Sequence, residues 1–206
     1  DMYIPSRYKL TDEETIRKLI HEHAFGTIVV SDNGKPIASH IPLMLREIEG
    51  EDYITGHVAL ANPIWRIIEA QDDPVLVIFQ GPHAYISASW YLAKEVPTWN
   101  YQAVHIYGKA SIMSEEELQE DLILLLEKYE KHRDNARIWE NLTEQNKKQM
   151  KGIKGFKIKI EDIQATSKLS QNRSDTDYQR IIDHLRLEDD PRSNEMADLM
   201  EKAKHQ

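Results

Sequence analysis

The sequence predicts an α+β chain, a small antiparallel β-barrel of about six strands with helices around its outside. Three observations predict it. Consecutive apolar runs are joined by tight-turn signals, of which Asp32-Asn33-Gly34-Lys35 is the strongest. AVHIYGKASIM and GFKIKIEDIQA alternate apolar and polar residues with the period of a half-buried strand. Segments with helical spacing open at capping signals and interrupt the strand series too seldom for a parallel βαβ sheet.

The elements follow in order. Thr11 and Glu14 form a capping box, and Ile16, Leu19 and Ile20 continue it at helical spacing towards a stop near Gly26. GTIVVS is a β-branched strand, returned through Asn33-Gly34 by PIASHIPLML. Pro42 inside that second run predicts an edge or a bulge, because proline has no N–H for the ladder. YITGHVA follows the polar turn REIEGED and completes a three-strand meander. Asn62-Pro63 caps and opens a helix carrying Ile64, Ile67 and Ile68. PVLVIFQ is a continuous apolar strand that AYIS extends past Gly81-Pro82. SWYLAKEVPTWN reads as irregular and aromatic, and AVHIYGKASIM as a long strand. Ser114 caps a helix whose three opening glutamates suit its positive end. Its apolar stripe is Leu118, Leu122, Leu125, Leu126 and Tyr129. A polar helical region runs to Met150, and GFKIKIEDIQA is the last strand. Ser174 and Asp177 then form a capping box before a helix bearing Tyr178, Ile181, Ile182 and Leu185. After Asp189-Asp190-Pro191 a charged tail has the makings of one more short helix.

Composition narrows the function classes. The chain has 206 residues, 40% apolar, with a formal net charge of −9 and no cysteine. No apolar run is long enough to span a bilayer, and the N-terminus lacks a signal-peptide core. A cytoplasmic protein without disulfide or thiol chemistry is the expectation. The acidic balance opposes a duplex-DNA reader. One stretch runs the other way: Lys147, Lys148, Lys151, Lys154, Lys157 and Lys159 have no acidic residue among them. It is either a solvated face or an anion-facing patch.

The chemistry-bearing residues are few. His40, His57, His83 and His105 fall on predicted strands, but their spacing matches no zinc pattern, and no metal is expected. There is no GxSxG, P-loop or GxGxxG. The loop KLSQNRS, Lys168–Ser174, is rich in donors. Asn172 and Ser174 could organise a helix start. Equally, Lys168, Gln171, Asn172 and Arg173 could hold an anion at that start, since arginine grips phosphate bidentately and lysine adds a point charge. Trp90, Tyr91, Trp99 and Tyr101 lie within twelve residues. They suit core packing, a dimer interface, or a stacked flat ligand.

Several long stretches together carry a resemblance: MYIP, GHVALANP (Gly56–Pro63), FQGPHAYISASWY (Phe79–Tyr91), VPTWNYQAVHIYGKA (Val96–Ala110), GIKGFKIKI (Gly152–Ile160) and KLSQNRS. In these the chain resembles the PaiB-type proteins, bacterial negative transcriptional regulators of sporulation and degradative-enzyme production, over roughly residues 2–187. That family is similar to the FMN-binding split barrels. The resemblance therefore implies a six-stranded antiparallel split β-barrel domain over residues 1–187 with peripheral helices, and a charged tail over 188–206. It implies a homodimer with FMN at the subunit interface, the ring on Trp90 or Trp99 and the phosphate on Lys168 and Arg173. His40, Pro42, His57, Asn62, Thr98, Asn100, Gln171 and Asn172 complete the expected cofactor-binding set, with none assigned as acid or base. The alternatives are a flavin-dependent oxidoreductase, a relative that binds or degrades haem, and a DNA-binding repressor that uses the six lysines.

Overall fold

The structure is a computed structural model, and it describes residues 1–204. It is an α+β fold with one seven-stranded antiparallel sheet in the order β2-β1-β5-β6-β7-β4-β3. The strands are β1 (Phe25–Asp32), β2 (Lys35–Pro42), β3 (Met44–Ile48), β4 (Glu51–Ala59), β5 (Val75–Ile86), β6 (Thr98–Ile112) and β7 (Ile153–Lys168). The helices are α1 (Glu13–Glu22), α2 (Ile64–Ala70), α3 (Glu115–Glu130), α4 (Glu144–Lys148), α5 (Asp175–Leu187) and α6 (Pro191–Ala203).

The strand count is seven, where the sequence predicts six. PIASHIPLML is not one strand. Pro42 ends β2, and the chain turns at Leu43, whose N–H donates to Ala24 O at 2.9 Å before β3 begins. Proline supplies no ladder donor, so the break falls where the sequence predicts an edge or bulge. β2 and β3 are the two edges of the ladder. The Asn33-Gly34 turn is as predicted, with φ of 50° and 86°, the left-handed pair that a two-residue hairpin needs. Glu49-Gly50 repeats it between β3 and β4.

The chain forms two compact units. One comprises Asp1–Leu19, Gln80–His105 and the described residues from Gln164 onward; the other comprises Ile20–Phe79 and Ile106–Ile163. The long strands β5, β6 and β7 each begin in one unit and end in the other.

In the first of these units, α5 and α6 pack on the end of β5. Ile181, Ile182, Leu185, Met196, Ala197 and Met200 are buried there with Ile86 and Tyr91. Although residues 188–206 read as a charged tail, α6 hides an apolar face at Met196, Ala197 and Met200, all 0% exposed. Asp190 accepts from Arg192 N at 2.7 Å and Pro191 opens the helix, so a helix does follow Asp189-Asp190-Pro191. Met200→Ala is expected to destabilise this unit by about 2–5 kcal/mol, read by urea denaturation, because it empties a closed site. A loss below about 0.5 kcal/mol would mean that α6 is not held in the core.

In the other unit, β1 pairs with β2 and β5, and β4 with β3 and β7. β2 also packs against β4. Gly56 makes this possible: a Cβ there would meet Leu43 Cδ2 and Phe156 Cζ at 2.9 Å. Ile28, Leu43, Ile54, Phe79, Phe156 and Ile158 fill the interior. α3 opens at the predicted Ser114 cap, which makes a capping box with Glu117, but of its apolar stripe only Leu118 is fully buried. The fully buried residue beside it is Asp121, an acid.

Candidate functional site

β6 organises the loop that the sequence singles out. Alternation along the strand sends Thr98, Asn100 and Gln102 to one face and Trp99 and Tyr101 to the other. On the first face Lys168 Nζ donates to Thr98 Oγ1 at 2.7 Å, Ser170 Oγ to Asn100 Oδ1 at 3.0 Å, and Gln102 Nε2 to Ser167 Oγ at 2.9 Å. Asn100, Gln102 and Ser170 are buried, so this is a closed polar layer whose members satisfy one another. Ser170 has φ +64°, an unfavourable left-handed conformation for a residue with a Cβ, and its bond to Asn100 holds it there.

Much of KLSQNRS serves the loop itself. Gln171 Oε1 accepts from Leu169 N at 2.6 Å, and Gln171 Nε2 donates to Ser167 O at 2.7 Å. Ser174 Oγ accepts from Asp177 N at 3.1 Å and caps α5. The capping box is only half made, because Asp177 Oδ1 accepts from Leu92 N at 2.8 Å instead of turning back to Ser174. Asp175 and Asp177 occupy the first turn of α5. Their charge already answers the positive end of the helix, so an anion has little to gain there. Asn172 is exposed.

Two cations remain. Lys168, half-buried, spends one donor on Thr98 and lies 5.7 Å from the centroid of Tyr8. Arg173 lies 4.6 Å from the centroid of Tyr91 and 3.2 Å from Glu95 Oε2. Its Nε is buried without a hydrogen-bond partner, and so is the Tyr91 hydroxyl. The Tyr91 hydroxyl lies within the reach of the guanidinium, whereas the buried Arg173 Nε costs free energy unless something accepts from it. Burial pushes the Tyr91 phenol above its ordinary value, and the Arg173 guanidinium works against that rise.

The odd face of β6 is different. Trp99 is 53% exposed. Its ring lies 6.0 Å from His83 and 5.8 Å from Tyr85, and with Gln80 and Tyr101 it lines an open groove of about 290 Å³. Trp90 is not part of it. Its ring is stacked on His184 at 5.6 Å, and its carbonyl accepts from Arg180 Nε at 2.7 Å, so α5 covers the face a flat ligand would use.

The other four candidate residues belong to the second unit, where the packing of β2 on β4 gathers them. Asn62 Nδ2 donates to Ser39 Oγ at 2.9 Å, and Asn62 Oδ1 caps α2 at Ile64 N. His40 Nδ1 lies 3.1 Å from Thr27 Oγ1. Pro42 O comes within 3.3 Å of a Cβ placed on Gly56, next to His57. Burial pulls the His57 pKa below its ordinary value, and the Asp121 carboxylate pulls it up more weakly. Asp121 accepts from Arg46 at 2.8 Å and Thr55 at 2.6 Å. Among the described residues no three potential metal ligands come together.

The six-lysine stretch is largely used within the protein. Lys147, Lys157 and Lys159 pair with Glu144, Glu117 and Glu51, and Lys154 lies over the Trp65 ring. Sequence reasoning had Tyr91 in its aromatic cluster and Ser170 within KLSQNRS, but it missed Glu95 and the partners of all three. Those partners, Arg173 and Asn100, lie far away along the chain, and no local pattern marks the pairing.

Comparisons with known proteins agree with one another. The family described as "Putative FMN-binding domain" matches residues 2–162. The chain is 55% identical over 201 residues to the protease synthase and sporulation protein PAI 2 of Bacillus subtilis, covering 97% of each. In structure it is similar to a flavocytochrome of Azotobacter vinelandii, with a TM-score of 0.64 at 15% identity over 86% of this chain and 78% of that one. A protein of Mycobacterium smegmatis that binds FAD and haem gives 0.63 at 15% identity over 82% and 78%. At these identities the two structures speak to the fold alone.

Proposed function

The chain belongs to the FMN-binding domain family, and on that premise we propose that it is an FMN-binding split-barrel protein of the PaiB type. The observation that carries the reading is the buried, unpartnered Arg173 Nε, stacked on Tyr91, in a loop that also presents Lys168. A phosphate suits this set: it offers several acceptor oxygens, and the guanidinium and ammonium offset its charge. Bound there, FMN would supply the redox chemistry, while the chain supplies position and hydrogen bonds. The open Trp99 groove suits the flat ring. Lys168, at the end of β7, reaches the Thr98 face of β6, and Trp99 projects from the opposite face, so a flavin that uses both is most simply shared between two copies of the chain. This supports a homodimer with the cofactor at the interface.

The role we propose, negative regulation of sporulation and degradative-enzyme production, is the one the PaiB resemblance implies, and the name of the Bacillus subtilis relative, a protease synthase and sporulation protein, supports it. Regulation without direct reading of DNA is favoured. Three of the six clustered lysines are held by carboxylates, and the net charge is −9. No helix is long and apolar enough to cross a membrane among the described residues.

The test is a titration of the protein with FMN, followed by flavin fluorescence and by sedimentation. One site per chain and a dimer are expected. No saturable binding up to high micromolar FMN would end the reading, and haem would be titrated next. Turnover of reduced nicotinamide by the loaded protein would make it an oxidoreductase rather than a sensor. Glu95 competes for Arg173, so Glu95→Gln is expected to tighten FMN binding about two- to five-fold, the range of a half-exposed ion pair. Weaker binding in that variant would mean that Glu95 positions the guanidinium instead.

A further inference from the structure

A cavity of about 470 Å³ opens in the second unit, between the start of α3, the turn at Trp139, α4 with the turn after it, and the first residues of β7. None of the residues assigned to the flavin lines it. Its floor is apolar, made by buried Met113 and Leu118. Gly155 lets β7 lie directly against that floor: a Cβ there would sit 2.8 Å from Met113 Sδ and 2.9 Å from Leu118 Cδ1. Trp139 supplies an aromatic wall. The size falls in the range of small-molecule sites, about 300–1,000 Å³.

One side of the cavity is basic. Lys147 is already engaged, 3.7 Å from Glu144 and 5.2 Å from the Trp139 centroid. Lys148 and Lys151 line the same side, are exposed, and form no ion pair among the described residues. They stand three residues apart on successive helical turns, where like charges repel. An anion between them would relieve that repulsion. Glu115 and Glu116 also line the cavity, in the first turn of α3, where their charge answers the helix's own positive end.

We propose that this cavity is a second ligand site, for a small amphipathic acid. Its apolar or aromatic body lies against Met113, Leu118 and Trp139, and its anionic head lies on Lys148 and Lys151. The lysine run singled out in the sequence is then partly a ligand wall rather than a nucleic-acid surface.

The test uses the full chain and 8-anilino-1-naphthalenesulfonate, an aromatic body with one anionic head, in a calorimetric titration. One site per chain is expected. The double variant Lys148→Glu/Lys151→Glu, at exposed positions, is expected to weaken it at least tenfold while FMN binding stays unchanged. Gln119→Trp, which fills the mouth from an exposed lining position, is expected to block it. The uncharged analogue N-phenyl-1-naphthylamine is expected to bind more weakly than the sulfonate. Equal affinity in the double variant, displacement of the probe by FMN, or absence of saturable binding would each overturn the proposal.

Discussion

Arg173→Ala is expected to weaken FMN binding by about 1–3 kcal/mol, a loss of roughly five- to 150-fold. The guanidinium is the one group of the loop with both a charge and a buried donor in want of an acceptor. Lys168 keeps its Thr98 contact in the variant and retains part of the phosphate affinity. Arg173→Lys should recover the charge but not the planar fork, and so fall between the two. The variant also loses the Tyr91 stack and the Glu95 pair, so its denaturation curve has to be measured beside the titration. Unchanged FMN affinity in a folded variant would leave KLSQNRS as a loop that ties its own backbone and caps α5.

Asp121→Ala should cost about 3–5 kcal/mol of stability, because it breaks a buried ion pair on one side only. Asp121 and Arg46 have side chains 2% and 17% exposed, and Thr55, which donates to the same carboxylate, is fully buried. Removing the acid leaves a nearly buried guanidinium and a buried hydroxyl without an acceptor. Replacing both charges, as in Asp121→Leu with Arg46→Met, should cost much less, since the burial penalty of the charges disappears with them. Urea denaturation of the two variants decides it. If the double variant is as unstable as the single, the pair is holding α3 against β3 and β4 through a geometry that apolar packing cannot replace.

The Asp121 pair also shows why part of the protein was hidden from a linear reading. Helical spacing marks Leu118, Leu122, Leu125 and Leu126 as the buried stripe of α3, yet Leu118 is the one apolar residue of it that is fully buried. An acid three residues after Leu118 was the available signal. It falls on the same face, and a carboxylate there requires a cation from elsewhere in the chain. Arg46, 75 positions away, is that cation. The lysine run teaches the same point in reverse. In the sequence it contains no acid, but Glu117 and Glu51 reach it from distant elements and cancel much of its charge.

Interactions that are decided within a few residues were determined by the sequence itself. These are the Asn33-Gly34 turn with positive φ, the caps at Asn62, Ser114, Ser174 and Asp190, the alternation of β6 and β7, and the break that Pro42 imposes. Each depends on local backbone sterics or on a side chain reaching two or three residues. The tertiary structure decided what depends on contacts far apart in the chain. It split PIASHIPLML at Leu43 and buried the apolar face of a tail that reads as charged. It stacked Trp90 on His184 and left Trp99 open. It brought Lys168 to the face of β6 opposite Trp99, and it brought Glu95 and Tyr91 to Arg173. The energy of such contacts is paid out only when segments distant in sequence are folded together, and no window along the chain contains both partners.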